Sequence, residues 1–207
     1  MLRGRGERTE RTGTPVDLLV VGLGNPGEEF RHTRHNVGAD AVDILARRHG
    51  ARLKVDRRTR AVHDTVTVGG RRMLLAIPTT YMNESGAAVA PLLRRAGVDA
   101  EHLLVVHDEL DLPLAAMKLK AGGGLAGNNG LRSIKASLKT DTFLRVRIGI
   151  GKPVSKERGA DHVLSRFAKR DRTEIDVTLE LAADAVECIL ADGIDVAMNR
   201  FNTRSPD

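Results

Sequence analysis

Short apolar runs alternate with helical patterns along this chain, and that alternation admits few architectures. Asp17–Leu23 (DLLVVGL) is apolar and rich in β-branched residues but too short for a buried helix, so it reads as a buried strand that stops at the turn Gly24-Asn25-Pro26-Gly27. Val37, Ala41, Val42, Ile44 and Leu45 then recur at helical spacing until Gly50. Val62–Val68 and Met73–Ile77 form a predicted hairpin through Gly69-Gly70. A helix is expected from a cap at Asn83 to about Ala96, followed by a strand at Leu103–His107 and a loop at Asp108–Leu114. Further elements are a strand at Ala115–Leu119, a helix at Leu131–Leu138, a strand at Phe143–Ile150 and a long helix at Arg172–Ala191. Strands interleaved with helices predict one α/β domain, a twisted, mixed but mainly parallel sheet enclosed by helices, spanning residues 17–203. The first sixteen residues are expected to be a disordered Arg-rich tail.

Composition removes several functional classes. Only one cysteine, Cys188, is present, so an internal disulfide and a Cys-rich zinc site are excluded; it sits in the apolar pattern of the last helix and reads as a core residue. No apolar run approaches the roughly 18 residues of a membrane span, and no apolar stretch follows the N-terminal arginines as a secretory signal requires, so a cytoplasmic location is expected. Aromatics make up 2% of the chain, which argues against an array of base-stacking rings. Charge is uneven. Residues 118–158 hold ten Lys and Arg against two acids, a net +8, while the whole chain carries +6 and the remainder therefore −2. A regional excess of this kind suits a surface that meets a polyanion, although a solvated face would look the same.

Gly22-x-Gly24-x-x-Gly27 between a strand and a helix has the outline of a dinucleotide fingerprint. The ribose-binding acid that such a fold needs about 20 residues on is missing, because that window falls inside the helical pattern at Val42–Arg47. The wider stretch is more specific. Gly22-Leu23-Gly24-Asn25-Pro26-Gly27, Phe30 and Thr33-Arg34-His35-Asn36-x-Gly38 are followed by Pro78-Thr79-Thr80-Tyr81-Met82-Asn83-x-Ser85-Gly86. Next come His107-Asp108-Glu109-Leu110-Asp111-Leu112-Pro113, the Gly-rich segment into Asn129-Gly130-Leu131-Arg132-Ser133, and Arg147-Ile148-Gly149-Ile150-Gly151-Lys152-Pro153. In order and extent these segments resemble the bacterial peptidyl-tRNA hydrolases. The resemblance implies hydrolysis of the ester between a peptide and the 3′-terminal ribose of tRNA, with peptidyl-tRNA as partner, no cofactor, no metal and a monomeric enzyme.

Such a reaction needs an activated water, a stabiliser for the oxyanion and a grip on both halves of the substrate. Neutral histidine is the side chain best matched to taking a proton near neutrality. His35 lies between the first strand and first helix, and Asp108 follows the strand ending at His107, both at strand ends where open α/β sheets carry their sites. An acid on the imidazole would orient it, as in a triad whose serine is replaced by water. By resemblance, His35 is the base, Asp108 its partner, and Asn25 the residue that checks for an acylated amino group. Asn83 and Asn129 fall to the peptide and the water or oxyanion, Phe30 and Tyr81 to the tRNA end, and Met82 to the peptide cleft. Lys120 matches a phosphate-binding position, and Arg147 shares a strand face with Arg145 that is expected to hold phosphates. Arg132, Lys135 and Lys139 share a helix face beside them.

Plainer readings exist for single residues. Asn25 could be a turn residue, Asn83 only a helix cap, and His32 with His35 half of a metal pair that lacks a third ligand. His107 points away from Asp108 if the strand persists, and reads as structural. The chain also departs from the family where Asn128, expected among the residues that bind the substrate, stands in place of the usual His, and where Leu125 and Ala126 stiffen the Gly-rich loop, which reads as a gate. Phe30 replaces a common Tyr. A binding-only relative, like the RNA-binding plant members of the family, is therefore a second expectation.

Overall fold

Leu18–Gly22 (β1) buries all five of its residues, which is why it reads as an unbroken apolar run: it lies in mid-sheet with helices over both faces. The structure is a computed structural model that describes residues 15–153, 155 and 158–202. In chain order the other elements are α1 (Val37–Arg48), β2 (Lys54–Asp56), β3 (Ala61–Val68), β4 (Arg71–Pro78), α2 (Ser85–Ala96), β5 (Leu103–Glu109) and β6 (Met117–Ala121). They continue with α3 (Asn129–Leu138), β7 (Leu144–Gly149), α4 (Gly159–Leu164), α5 (Lys169–Asp192) and α6 (Ile194–Phe201). The seven strands are ordered β2-β3-β4-β1-β5-β7-β6. β4, β1, β5 and β7 run parallel, and antiparallel strands complete both edges. The expected single α/β domain with a mixed, mainly parallel sheet is observed.

Alternate residues of β1 and β5 enter different cores. Val20, Leu104 and Val106 pack with α1 and α5, while Leu19, Val21, Leu103 and Val105 pack with α2 and α3. Cys188 is buried in the first of these cores, as read from sequence. Residues 1–14 of the expected tail lie outside the described residues; Pro15 packs on Gly97 and Val16 donates to the Ala96 carbonyl at 3.0 Å.

Three sequence readings change. β5 does not stop at His107 but runs through Asp108 and Glu109, which pair with Ile148 and Gly149 of β7. Asn83 is not the cap of α2: it sits exposed in a 3-10 turn, Met82–Glu84, and Ser85 bonds back to the Met82 carbonyl at 2.7 Å. α3 begins at Asn129 rather than Leu131, because the Asn128 side chain accepts from the Leu131 amide and caps it. β2, α4 and α6 were not anticipated at all.

The close approach of α1 to the sheet is permitted by two glycines. A Cβ on Gly38 would stand 2.1 Å from the Val106 carbonyl oxygen, and one on Gly22 would stand 2.3 Å from that of Gly38. This contact fixes the height of the 3-10 turn Arg34–Asn36 that precedes α1 over the carboxyl end of β5.

Candidate active site

His35 and Asp108, 73 residues apart in sequence, meet at the carboxyl ends of the parallel strands, with His35 Nδ1 2.8 Å from Asp108 Oδ2. The turn carrying His35 is clamped from outside. Arg34 donates to the Ser165 hydroxyl at 2.8 Å and the Arg166 carbonyl at 2.6 Å, and its guanidinium lies over the Phe167 ring. Burial lowers the Arg34 pKa from its ordinary value, against the pull of Asp171, yet it stays a cation. Asp108 is almost wholly buried, and its second oxygen accepts from Asn128 Nδ2 at 2.9 Å. A pocket of about 220 Å³ opens over this pair, lined among others by Asn128, Asn129, Leu110, Ala160 and Val163.

Asn25 is held by Asn36, the chain neighbour of His35, a residue to which sequence reasoning gave no role. Asn36 accepts from the Asn25 amide and donates to the Asn25 carbonyl, both at 2.9 Å, so one buried side chain imitates a strand neighbour for the Gly-Asn-Pro-Gly turn. The signal was present in the Arg-His-Asn run but is silent about a partner eleven residues back. Asn25 Oδ1 in turn accepts from the Met82 amide at 2.8 Å, which leaves its Nδ2 the uncommitted end of the amide among the described residues. Met82 is buried, with its sulfur against Gly130. Phe30 and Tyr81 form an edge-to-face pair with centroids 6.4 Å apart, and Tyr81 is largely exposed. Asn83 and Asn129 are exposed.

The basic strip is only partly a surface. Arg145 is buried, 1% exposed, and its guanidinium donates to the carbonyls of Gly122 and Gly124. It props the Gly-rich loop from below and is corrected from a phosphate contact to a structural cation. Burial lowers its pKa from the ordinary value, with Arg147 adding to the effect. Arg147 is half-buried and donates to buried Glu109 at 3.0 Å. Lys120 is exposed and lies across Gly123, facing Arg145 in the β6–β7 register, while Lys118 faces Arg147. Like charges placed opposite one another are unfavourable unless something else draws on them. Arg132 and Lys135 are exposed on α3, Lys139 is the exposed left-handed residue just past its end rather than part of its face, and Lys135 pairs with Asp141, holding that carboxyl below its usual range. Summing the rest of the chain to −2 hid a second concentration: Arg57, Arg58 and Arg60 are all exposed on the β2–β3 turn, which bonds to Thr79 at the site end of the sheet.

His107, on the opposite face of β5, is fully buried and donates Nδ1–H to the Asp108 carbonyl at 2.6 Å. No cluster of three potential metal-ligating residues occurs among the described residues, and His32 pairs instead with Asp40 at 3.2 Å.

The family model for peptidyl-tRNA hydrolase matches residues 19–207. The chain belongs to that family. Peptidyl-tRNA hydrolase of Nocardia farcinica is 50% identical over 184 residues, covering 89% of this chain and 95% of that protein. That of Rhodococcus erythropolis is 48% identical, covering 89% and 97%. The crystal structure of peptidyl-tRNA hydrolase from Acinetobacter baumannii superposes with a TM-score of 0.87 at 37% identity, covering 98% of this chain and all of that one. As a peptidyl-tRNA hydrolase the chain is a hydrolase of the ester bond in peptidyl-tRNA. No helix among the described residues is long and apolar enough to cross a membrane.

Proposed function

We propose that His35 is the general base of this peptidyl-tRNA hydrolase and Asp108 the group that orients it. The observation that carries this is the 2.8 Å bond between His35 Nδ1 and Asp108 Oδ2. A carboxylate can only accept, so the shared proton sits on Nδ1 and the lone pair is on Nε2, free to take a proton from water in the pocket. Hydroxide forms as that proton transfers, attacks the acyl carbon, and the ester C–O bond breaks with the ribose hydroxyl leaving as the imidazolium returns its proton. Asn25 Nδ2, aimed by the bond from Met82 N to its carbonyl oxygen, and the Asn129 amide are uncharged donors for the peptide and the oxyanion. Asn83 takes the peptide backbone, Met82 lines the peptide cleft, and Phe30 with Tyr81 receives the tRNA end.

Lys120, with Arg147 further along the β6–β7 pair, holds tRNA phosphates without reading sequence, as an enzyme serving every tRNA requires. All of these groups lie in one chain, so a monomer suffices, and the substrate assigns the reaction to the cytoplasm. A binding-only relative has no support in this geometry, since the base and its acid are already paired. The test is release of a labelled acyl-aminoacyl group from tRNA by wild type and by His35→Ala. Loss of at least most turnover in the variant is expected; equal release from both would sink the assignment.

A further inference from the structure

Asn128 uses both ends of its amide, in opposite directions. Nδ2 donates to Asp108 Oδ1 at 2.9 Å, and Oδ1 accepts from the Leu131 amide at 3.1 Å. Its backbone is fixed as well, donating to the Leu125 carbonyl at 3.0 Å and accepting from the Arg132 amide at 3.1 Å. A flipped amide would set its oxygen against the carboxylate and its NH2 against an N–H, so only one orientation is stable. Each Asp108 oxygen therefore has its own holder, His35 on Oδ2 and Asn128 on Oδ1. A carboxylate held at one oxygen can still swing about its Cβ–Cγ bond; held at both, its plane is set.

Resting on the reading of His35 as base, we infer that Asn128 is a positioning residue: it holds the Asp108 carboxylate in the plane His35 Nδ1 requires. It also ties that plane to the N-terminus of α3 and the end of the Gly-rich loop. Alignment of the base is then linked to where the loop sits, because Leu125 and Asn128 are bonded to each other. An amide has no proton to gain or lose near neutrality, so this hold is constant across the working pH range. A histidine at the same position would bring a charge beside the carboxylate as pH falls.

Two variants and a cycle test this. Asn128→Ser keeps the helix cap, since serine caps as well as asparagine, but cannot reach Asp108. A roughly 10- to 100-fold fall in kcat is expected, the range for a lost hydrogen bond to a charged group, with KM near wild type and a lower Tm, because a buried carboxylate oxygen loses its partner. Asn128→Asp keeps the cap but puts a second carboxylate on Asp108. The added negative charge favours the imidazolium, so the acid limb of the kcat profile should move to higher pH. In the double variant His35→Ala/Asn128→Ser the serine should cost nothing further, because its effect passes through the base. Unchanged kcat with an unmoved acid limb in both single variants would reduce Asn128 to a helix cap, and a change in KM alone would make it a substrate ligand. Either outcome overturns this inference while an inactive His35→Ala upholds the base. Full activity in His35→Ala would overturn the base assignment itself.

Discussion

Replacing Gly38 by alanine should disable the enzyme from a residue that touches no substrate. The added Cβ would lie 2.1 Å from the Val106 carbonyl oxygen, 2.7 Å from the Leu23 nitrogen and 2.9 Å from the Leu23 oxygen. All three are backbone atoms at the β1–β5 seam, and Leu23 N already donates to that Val106 oxygen at 3.0 Å, so none can rotate away. Relieving the contact requires α1 to retreat by about 1 Å at its first turn, an overpacking change that costs about 1–3 kcal/mol of stability. His35 lies three residues upstream on the same rigid turn and moves with it. Its 2.8 Å bond to Asp108 would stretch to nearly 4 Å, past the reach of a hydrogen bond. A misplacement of about 1 Å at a reacting group costs on the order of 100-fold in rate, about 2.7 kcal/mol of barrier. Single-turnover release of N-acyl-aminoacyl-tRNA would read this loss in kcat, with little change in KM because the phosphate contacts are elsewhere. Gly22→Ala, which pushes the same two elements apart from the other side, should behave alike. Near-wild-type kcat in a folded Gly38→Ala enzyme would refute the claim that helix height sets the pair.

Salt separates the two kinds of cation on β6 and β7. Lys120→Ala should lower the slope of log KM against log salt by about one, whereas Arg145→Met should leave the slope alone and speed amide exchange at residues 121–128. Asn25→Asp keeps the acceptor for the Met82 amide and removes the donor, so the fold should persist while kcat/KM drops by roughly 100-fold; an unchanged value would remove Asn25 from the contacts to the acylated end of the substrate. His107 carries a pH signature of its own. Burial lowers its folded pKa, with Arg145 reinforcing and Asp108 and Glu109 opposing, so below the ordinary value near 6.5 the unfolded chain binds a proton that the folded chain refuses. Stability contributed by neutral His107 is complete above that pH and erodes below it, by up to about 1.4 kcal/mol per pH unit until the folded pKa is reached. Denaturant titrations of His107→Gln between pH 5 and 7 should show a flatter acid limb than wild type; parallel curves would count against a buried neutral imidazole.

Much of this molecule could be read before folding because its burial is written as apolar runs. β1 and the first five residues of β5 lie under helices on both faces and need no alternation to be recognised. What escaped was burial that depends on partners. Asp108 and Glu109 looked like the start of a loop because two carboxylates rarely sit in a buried strand; His35, Asn128 and Arg147 satisfy them, and none of the three is a sequence neighbour. Arg145 was placed at the surface for the same reason, while its acceptors are loop carbonyls 21 and 23 residues upstream. β2 is three residues long with Val55 outward, so no core pattern marks it. For the site, the motifs identified the residues that converge, but not that Asn36 braces Asn25 or that both ends of the Asn128 amide are taken up inside the protein.

The clamp on Arg34 also sets an order of events. Its holders, Ser165 and Arg166, lie 131 and 132 residues downstream. While this protein is being made it is itself a peptidyl-tRNA, with its own ester intact at the ribosome. The histidine's turn can gain its outer brace only after that downstream segment has emerged, so the turn is made long before the residues that hold it.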